Sequence, residues 1–195
     1  IVHIEQPTII PGQQWLDFIY ESIKNEKTFR MTYKPFDREA YTAVISPYLL
    51  KEFDNRWYVY GKNHDKDELR TYGLERIIDL SDSLQGYRLS PSFNPDQYFS
   101  DIIGVTLQPN KKAQNIQFVV SKNTVPYIKT KPLHASQTEI DKTSKGTIFQ
   151  IVVIPNFELE SLLLSFGDAL TVIKPTALRQ RLSKRIKLSA KQYST

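Results

Sequence analysis

Polar and apolar residues alternate with a period of two in the first half of the chain. Arg56, Tyr58 and Tyr60 fall on one face of an extended segment, whereas Trp57 and Val59 fall on the other. Such alternation predicts β-strands with one apolar and one mixed face. Five short strands separated by polar turns are predicted here: Thr28 to Tyr33, Ala40 to Leu50, Arg56 to Gly61, Glu68 to Gly73 and Ile77 to Leu84. Their number and spacing predict a small β-barrel of the SH3 or Sm type.

The second half of the chain mixes the two periodicities. After a cluster of Ser, Pro and Asn at residues 90–96, a short helix is predicted near Gln97 to Phe99. Beyond it, the patterns predict three strands and two helices: strands at Asn115 to Val120, Thr147 to Ile154 and Leu170 to Ile173, and helices at Phe157 to Phe166 and from Pro175 toward Lys191. This mixture is typical of a compact α+β module.

The whole chain is therefore predicted to be a mixed α/β protein of the α+β class, in which the barrel precedes a small α+β domain. An amphipathic helix from Gln13 to Asn25 leads into the first strand. The predicted divisions are an N-terminal helix and linker at residues 1–27, the barrel at 28–90, a linker at 91–111 and the α+β domain at 112–195.

Composition narrows the class of protein. The 195 residues are 40% hydrophobic and include no Cys, which is typical of a globular protein without disulfides and fits the cytoplasm. No apolar run is long enough to cross a bilayer, so no membrane partner is expected. Charge is uneven: residues 1–108 hold 12 Lys and Arg against 16 Asp and Glu, whereas residues 109–195 hold 14 against 5. The basic character belongs to the second module.

The mixed face of the predicted hairpin combines Tyr hydroxyls with Arg guanidinium groups, as at Tyr58 and Arg70. Arg presents several donors in a planar fork and stays charged near neutral pH, so such a face suits a phosphate or another anion. Catalysis has little support. The three His are scattered, and His64 is expected to be exposed in the charged turn at residues 62–67. No Gly-rich phosphate loop occurs, and Ser46 has no local base. We expect neither enzymatic activity nor a metal or cofactor.

Residues 28–80 resemble the WYL domain of bacterial transcriptional regulators. The resemblance rests on five blocks in the family's order: Phe29 to Tyr33, Ile45 to Leu50, Arg56 to Val59, Leu69 to Tyr72 and Leu74 to Ile77. Val59 replaces the leucine of the family name, and Glu75 replaces a common aspartate; both changes are conservative. The tail resembles the extension that often follows a WYL domain, through Phe149 to Val153, Asn156 to Leu159, Ser165 to Gly167 and the last helix.

The resemblance implies a ligand-sensing module that binds an anionic effector, a nucleotide or a short single-stranded nucleic acid, and controls an attached DNA-binding domain. That domain would precede Ile1, because the first residue is not Met and no second helix of a helix-turn-helix is predicted. A homodimer is also implied, since such regulators read paired half-sites. The implied ligand-binding residues are Tyr33, Ser46, Arg56, Tyr58, Arg70 and Arg76, with Trp57 as structural support. Alternatively, Arg70 and Arg76 are exposed strand residues that form weak ion pairs with Glu68, Glu75 or Asp79.

The last predicted helix is strongly basic. Candidates for nucleic-acid contact on it are Arg179, Arg181, Lys184 and Arg185. The same charges also suit the solvated face of a terminal helix. Two other functions therefore remain open at this point: a constitutive module that binds RNA or single-stranded nucleic acid, and a domain that only mediates protein contacts and oligomerisation.

Overall fold

The computed structural model describes residues 11–90, 93–108 and 111–194. It divides into two compact units, Ile1–Tyr98 and Phe99–Thr195. Each unit has its own antiparallel sheet, together with helices, so the predicted α+β class is confirmed. No helix in the described part of the chain is long and apolar enough to cross a membrane.

The first unit is built on a five-stranded sheet in the order β4-β3-β2-β1-β5. A 3-10 turn at Gln13–Trp15 leads into helix α1, and a second at Leu74–Arg76 joins β4 to β5. The elements are α1 (Leu16–Lys24), β1 (Phe29–Tyr33), β2 (Tyr41–Phe53), β3 (Arg56–Asn63), β4 (Glu68–Gly73), β5 (Ile77–Asp82) and a short helix α2 (Pro95–Tyr98). The five predicted strands are thus all present.

The expectation of a closed barrel is wrong in one respect. In the described residues no hydrogen-bonded ladder joins the edge strands β4 and β5, so the sheet is open. The 3-10 turn at Leu74–Arg76 connects these strands, and they pair instead with β3 and β1. The sequence predicts strands through their periodicity, but closure depends on strand tilt and stagger, which that periodicity does not encode.

One face of this sheet forms the core of the first unit. Ile19 of α1 packs with side chains that alternate along the strands, including Phe29, Met31, Ile45 and Val59, all completely buried. The apolar side of α1 packs on the same face of the sheet to which the alternating apolar residues of the strands belong. Trp57 packs against this cluster.

The other face is covered by the chain that follows β5. Tyr60, on β3, stacks with Phe93 at a ring distance of 5.3 Å and contacts Tyr98 at 4.6 Å. Tyr48 donates a hydrogen bond to the carbonyl of Arg88. Burial raises the pKa of Tyr60. Residues that the sequence places in a linker therefore complete the packing of the first unit.

Strand β2 bends where it passes Pro47. Pro47 has no N–H to donate, and the register between β2 and β3 shifts between Pro47 and Leu49. Gly61 lies opposite Pro47, and a Cβ at that position would collide with the carbonyl oxygen of Ser46. Close approach of two backbones therefore requires glycine here. The bend sets the position of Ser46, which lies just before it.

The second unit contains a four-stranded sheet in the order β7-β8-β6-β9. Its elements are β6 (Gln114–Ser121), α3 (Val125–Thr130), β7 (Thr138–Thr143), β8 (Gly146–Val153), α4 (Phe157–Ser165), β9 (Leu170–Lys174) and α5 (Thr176–Gln192). Ile116 and Phe118 of β6 pack with Ile151 of β8, Leu159 of α4 and Leu178 of α5. The three predicted strands and two predicted helices are confirmed here, whereas β7 and α3 were not predicted.

Candidate anion-binding site

Two guanidinium groups share one carboxylate in the first unit. Arg76 Nε lies 3.2 Å from Glu75 Oε1, and Arg56 Nη1 lies 3.7 Å from the same oxygen. The side chain of Glu75 is 11% exposed. Its Oε2 and the Nε of Arg76 are buried and have no hydrogen-bond partner among the described residues. Two positive charges against one negative charge leave an excess that an incoming anion would neutralise.

This arrangement, the Arg56–Glu75–Arg76 cluster, results from strand pairing. Tyr58 of β3 lies opposite Gly73 of β4, which brings the start of β3 beside the 3-10 turn after β4. Arg56 is thereby placed next to a carboxylate 19 positions later in the chain. The sequence predicts both arginines as candidates but does not identify Glu75 as their common partner.

Arg76 is also held between two aromatic rings. Its guanidinium carbon lies 5.3 Å from the centre of the Tyr33 ring and 5.1 Å from that of Phe36. Tyr33 is 4% exposed, whereas Phe36 is 80% exposed. Cation–π contact of this kind orients the planar fork without using its N–H donors. The donors of Arg76 thus keep most of their hydrogen-bonding capacity for a ligand.

Tyr33 is fixed at the base of the cluster. Its hydroxyl accepts a hydrogen bond of 3.3 Å from the backbone N–H of Gly73. Burial raises the pKa of Tyr33 to about 12, against an opposing effect of the Arg76 charge. The ring makes edge contacts with Tyr72 at 5.1 Å and Tyr41 at 5.9 Å. Tyr33 therefore stays neutral at physiological pH and acts as a rigid support.

Two further cations lie near the tyrosine group formed by Tyr33, Tyr41 and Tyr72. Lys66 Nζ is 5.8 Å from the centre of the Tyr41 ring. Arg70 forms an ion pair with Glu68 at 2.6 Å, and its charge lowers the pKa of Tyr72 against the larger raising effect of burial. Arg70 and Arg76 thus pair with different carboxylates, Glu68 and Glu75. Arg76 lies against Tyr33 and the Arg70 charge acts on Tyr72, so the two arginines are linked through the edge contact between these two rings.

Ser46 belongs to a separate buried network. It is fully buried, and its Oγ lies 2.8 Å from Nε2 of His64 and accepts the backbone N–H of Arg88 at 2.9 Å. His64 Nδ1 lies 3.0 Å from Oε1 of Gln85. Because Oε1 of Gln85 can only accept, we place the imidazole proton on Nδ1, which leaves Nε2 to accept a hydrogen bond from the Ser46 hydroxyl. This network holds the chain that covers the second face of the sheet.

His64 was expected to be exposed in a charged turn, and this expectation is wrong. The residue is 9% exposed. Its backbone N–H donates to the carbonyl of Val44, which draws the turn onto β2. No local signal in the sequence distinguishes such a histidine from a solvated one, because its partners lie 18 and 21 residues away along the chain.

The network predicts a pH dependence of stability. Burial lowers the pKa of His64 below its ordinary value of 6.5. The folded state therefore binds fewer protons than the unfolded state in mildly acidic solution, so stability is complete above pH 6.5 and falls as the pH drops through the lowered value. We expect the free energy of unfolding to decline less between pH 7.5 and pH 5.5 in His64→Gln than in the parent. Urea titrations at each pH measure this free energy, and an equal decline in the variant and the parent would contradict this assignment.

The chain matches the models of two protein domains. The model of the WYL domain matches residues 14–81, and that of the WCX domain matches residues 112–189. The chain contains a WYL domain followed by a WCX domain. The matches agree with the resemblance seen in the five sequence blocks and in the tail. A WYL domain followed by a WCX domain forms a regulatory, ligand-sensing module.

Two solved structures are similar to this WYL protein. Proteasome accessory factor B/C (PafBC) of Arthrobacter aurescens aligns with 98% of this chain and 29% of its own, at 15% identity and a TM-score of 0.39. A protein described as CRISPR Cas-related aligns with 94% of this chain and 55% of its own, at 13% identity and a TM-score of 0.54. The second likeness concerns the fold alone. The chain spans less than two thirds of either protein, and a comparison with curated proteins finds no match.

Two other predicted residues of the WYL domain lie on β3. Tyr58 is half-buried and pairs with Lys51 of β2 and Gly73 of β4, on the face opposite the core. Trp57 packs against the core cluster on the other face. The pairing with Gly73 places Tyr58 next to the start of the 3-10 turn that carries Glu75 and Arg76. In the described residues, no group of three His, Asp or Glu side chains is placed to hold a metal ion.

The basic helix α5 of the WCX domain carries two kinds of cation. Arg181 and Arg185 bind the two oxygens of Glu160 on α4, at 2.8 and 3.2 Å. Arg179 and Lys184 instead line an open groove on α5. The four candidates for nucleic-acid contact are thus divided: one pair ties α5 to α4, and the other pair lies in the groove.

Proposed function

We propose that the WYL domain binds an anionic effector, a nucleotide or a short single-stranded nucleic acid, and thereby controls an attached DNA-binding domain. The observation that carries this proposal is the sharing of the Glu75 carboxylate by Arg56 and Arg76. A phosphate placed against Arg76 would accept hydrogen bonds from the planar guanidinium group and neutralise the excess positive charge. The proposed role is binding and regulation, without catalysis.

The surroundings favour a ligand that also has an aromatic ring. Phe36 is largely exposed beside Arg76, and Tyr41 is half-exposed beside Lys66. Stacking of one base on an aromatic side chain contributes about 1 to 3 kcal/mol. Lys66, near the Tyr41 ring, offers a second cation for a phosphate. A ligand with two phosphates and at least one base fits this arrangement best.

Regulation requires the effector to distinguish two states of the protein. A ligand with equal affinity for both would shift no equilibrium, whatever its strength of binding. We therefore propose that the two states differ in the position of Arg76 relative to Glu75. The regulator would act in the cytoplasm as a homodimer, because dimers read paired half-sites on DNA.

Titration of the chain with labelled single strands of graded length, competed with mononucleotides and cyclic dinucleotides, tests this proposal. We expect fluorescence anisotropy, measured at two salt concentrations, to show that the affinity stops increasing once the strand is a few nucleotides long. A steady increase with strand length would instead support a constitutive module that binds RNA or single strands. No binding to any of these ligands, with self-association retained, would favour a protein-contact domain.

A further inference from the structure

An open groove of about 660 Å³ lies along α5 of the WCX domain. It is lined by Ile173 at the end of β9 and by one side of α5, and its lining includes no acidic residue. The α5 residues of the groove are Thr176, Arg179, Gln180, Ser183, Lys184, Lys187, Leu188 and Lys191. Four of these eight side chains are cationic, which makes the groove strongly positive.

The four cations of the groove have no ion pair within the described residues. The acidic residues of the unit are few, and three of them are engaged elsewhere. Glu160 binds Arg181 and Arg185, and Glu139 binds Lys129. Glu158 accepts hydrogen bonds from the backbone N–H groups of residues 105 and 106. The positive charge of the groove is therefore not neutralised by the protein itself.

The groove side of α5 is opposite its packed side. Leu178 and Leu182 are buried in the core, which fixes the rotation of the helix. Arg179 and Lys191 are twelve positions apart, so the cations extend over about 18 Å along a straight helix. One strand of a DNA duplex carries a phosphate about every 3.4 Å of axis, so this length matches roughly five phosphates.

The chemistry of the lining favours a duplex over a single strand. Proteins that hold single strands without regard to sequence stack the bases on aromatic rings. No aromatic side chain lines this groove, whereas Gln180 and Ser183 add neutral hydrogen-bond donors of the kind that contact phosphate. In a duplex the bases are already stacked, and only the backbone needs partners.

We propose that the groove on α5 binds the phosphate backbone of duplex DNA without reading its sequence. Arg179, Lys184, Lys187 and Lys191 would contact phosphates through charge, and Gln180 and Ser183 through hydrogen bonds. This contact is separate from the proposed effector site of the WYL domain, and neither depends on the other. It would add a sequence-independent contribution to the DNA affinity of a larger regulator.

Binding of a fluorescently labelled duplex to the full chain tests the proposal, measured by anisotropy between about 50 and 200 mM salt. The test variant is Lys184→Gln with Lys187→Gln. The matched control is Lys122→Gln with Lys145→Gln, which removes the same charge from exposed positions of the same unit. We expect about a tenfold loss of affinity in the test variant, and a salt slope that is smaller by about 1.8, because each phosphate contact contributes about 0.9.

The control is expected to bind the duplex like the parent. An equal loss in the test variant and the control would mean that net charge alone attracts DNA, and would overturn the proposal. Parent-like binding by the test variant would overturn it as well, as would tighter binding of a single strand of the same length through the same lysines. Circular dichroism of each variant checks that α5 remains folded.

Discussion

Replacing Arg76 by glutamine is expected to weaken effector binding by about 2 to 3 kcal/mol, which corresponds to roughly 30- to 150-fold. The variant loses a charge-assisted, bidentate donor that is held in place by Tyr33 and Phe36. Glu75 would keep only the more distant Arg56 as its partner. The measurement is the dissociation constant for the tightest nucleotide or strand found by the graded titration.

Two variants control for charge and geometry. Arg30→Gln removes one positive charge from an exposed position on β1 and is expected to change the affinity less than threefold, within the weak effect of surface charges. Arg76→Lys keeps the charge but loses the planar fork, so its affinity should lie between those of the parent and Arg76→Gln. Parent-like affinity in Arg76→Gln, with an intact circular dichroism spectrum, would rule out the cluster as the effector site.

Replacing Asn156 by alanine is expected to destabilise the WCX domain by about 2 to 4 kcal/mol. Asn156 is 2% exposed and begins α4: its Oδ1 accepts the N–H of Leu159 at 2.9 Å. Its Nδ2 donates to the carbonyl of Ile103 at 2.7 Å and to that of Thr106 at 3.2 Å. Alanine would remove the helix cap and leave a buried carbonyl unsatisfied.

The distribution of tryptophan allows this loss to be assigned to one unit. Both Trp residues, Trp15 and Trp57, are in the first unit. In urea titrations of Asn156→Ala, the circular dichroism transition should shift to lower denaturant, and the Trp fluorescence transition should shift much less. Asn115→Ala, at an exposed position of β6, is the matched control and should change stability by less than about 0.5 kcal/mol. Unchanged circular dichroism in Asn156→Ala would refute the structural role assigned to its side chain.

Prediction from sequence succeeded where one face of an element is buried. The strands around Phe29 and Phe118 alternate because every second side chain enters a core, and each was found in its predicted place. Strand β7 was missed because all six of its residues are exposed, so its sequence has no apolar alternation. Helix α3 was missed because it has only six residues, with Pro126 near its start.

The candidate site was predicted in part. The WYL resemblance implied Arg56, Arg76 and Tyr33 as site residues, and strand pairing brings all three close to Gly73 or Glu75. The resemblance also implied Arg70, which instead pairs with Glu68. A residue's chemistry is visible in the sequence, whereas its neighbours depend on the register between strands.

The amino-acid sequence was sufficient to predict the strands and helices with a buried face, the α+β class, the WYL resemblance and the basic character of the second module. These features depend on residue type and on spacing over a few positions, which local periodicity and composition record. Tertiary structure alone decided that the sheet is open, that His64 is buried with Ser46, and that Glu160 holds two of the arginines of α5. Such contacts join residues far apart in the chain, and their energies depend on distances that only the folded backbone sets.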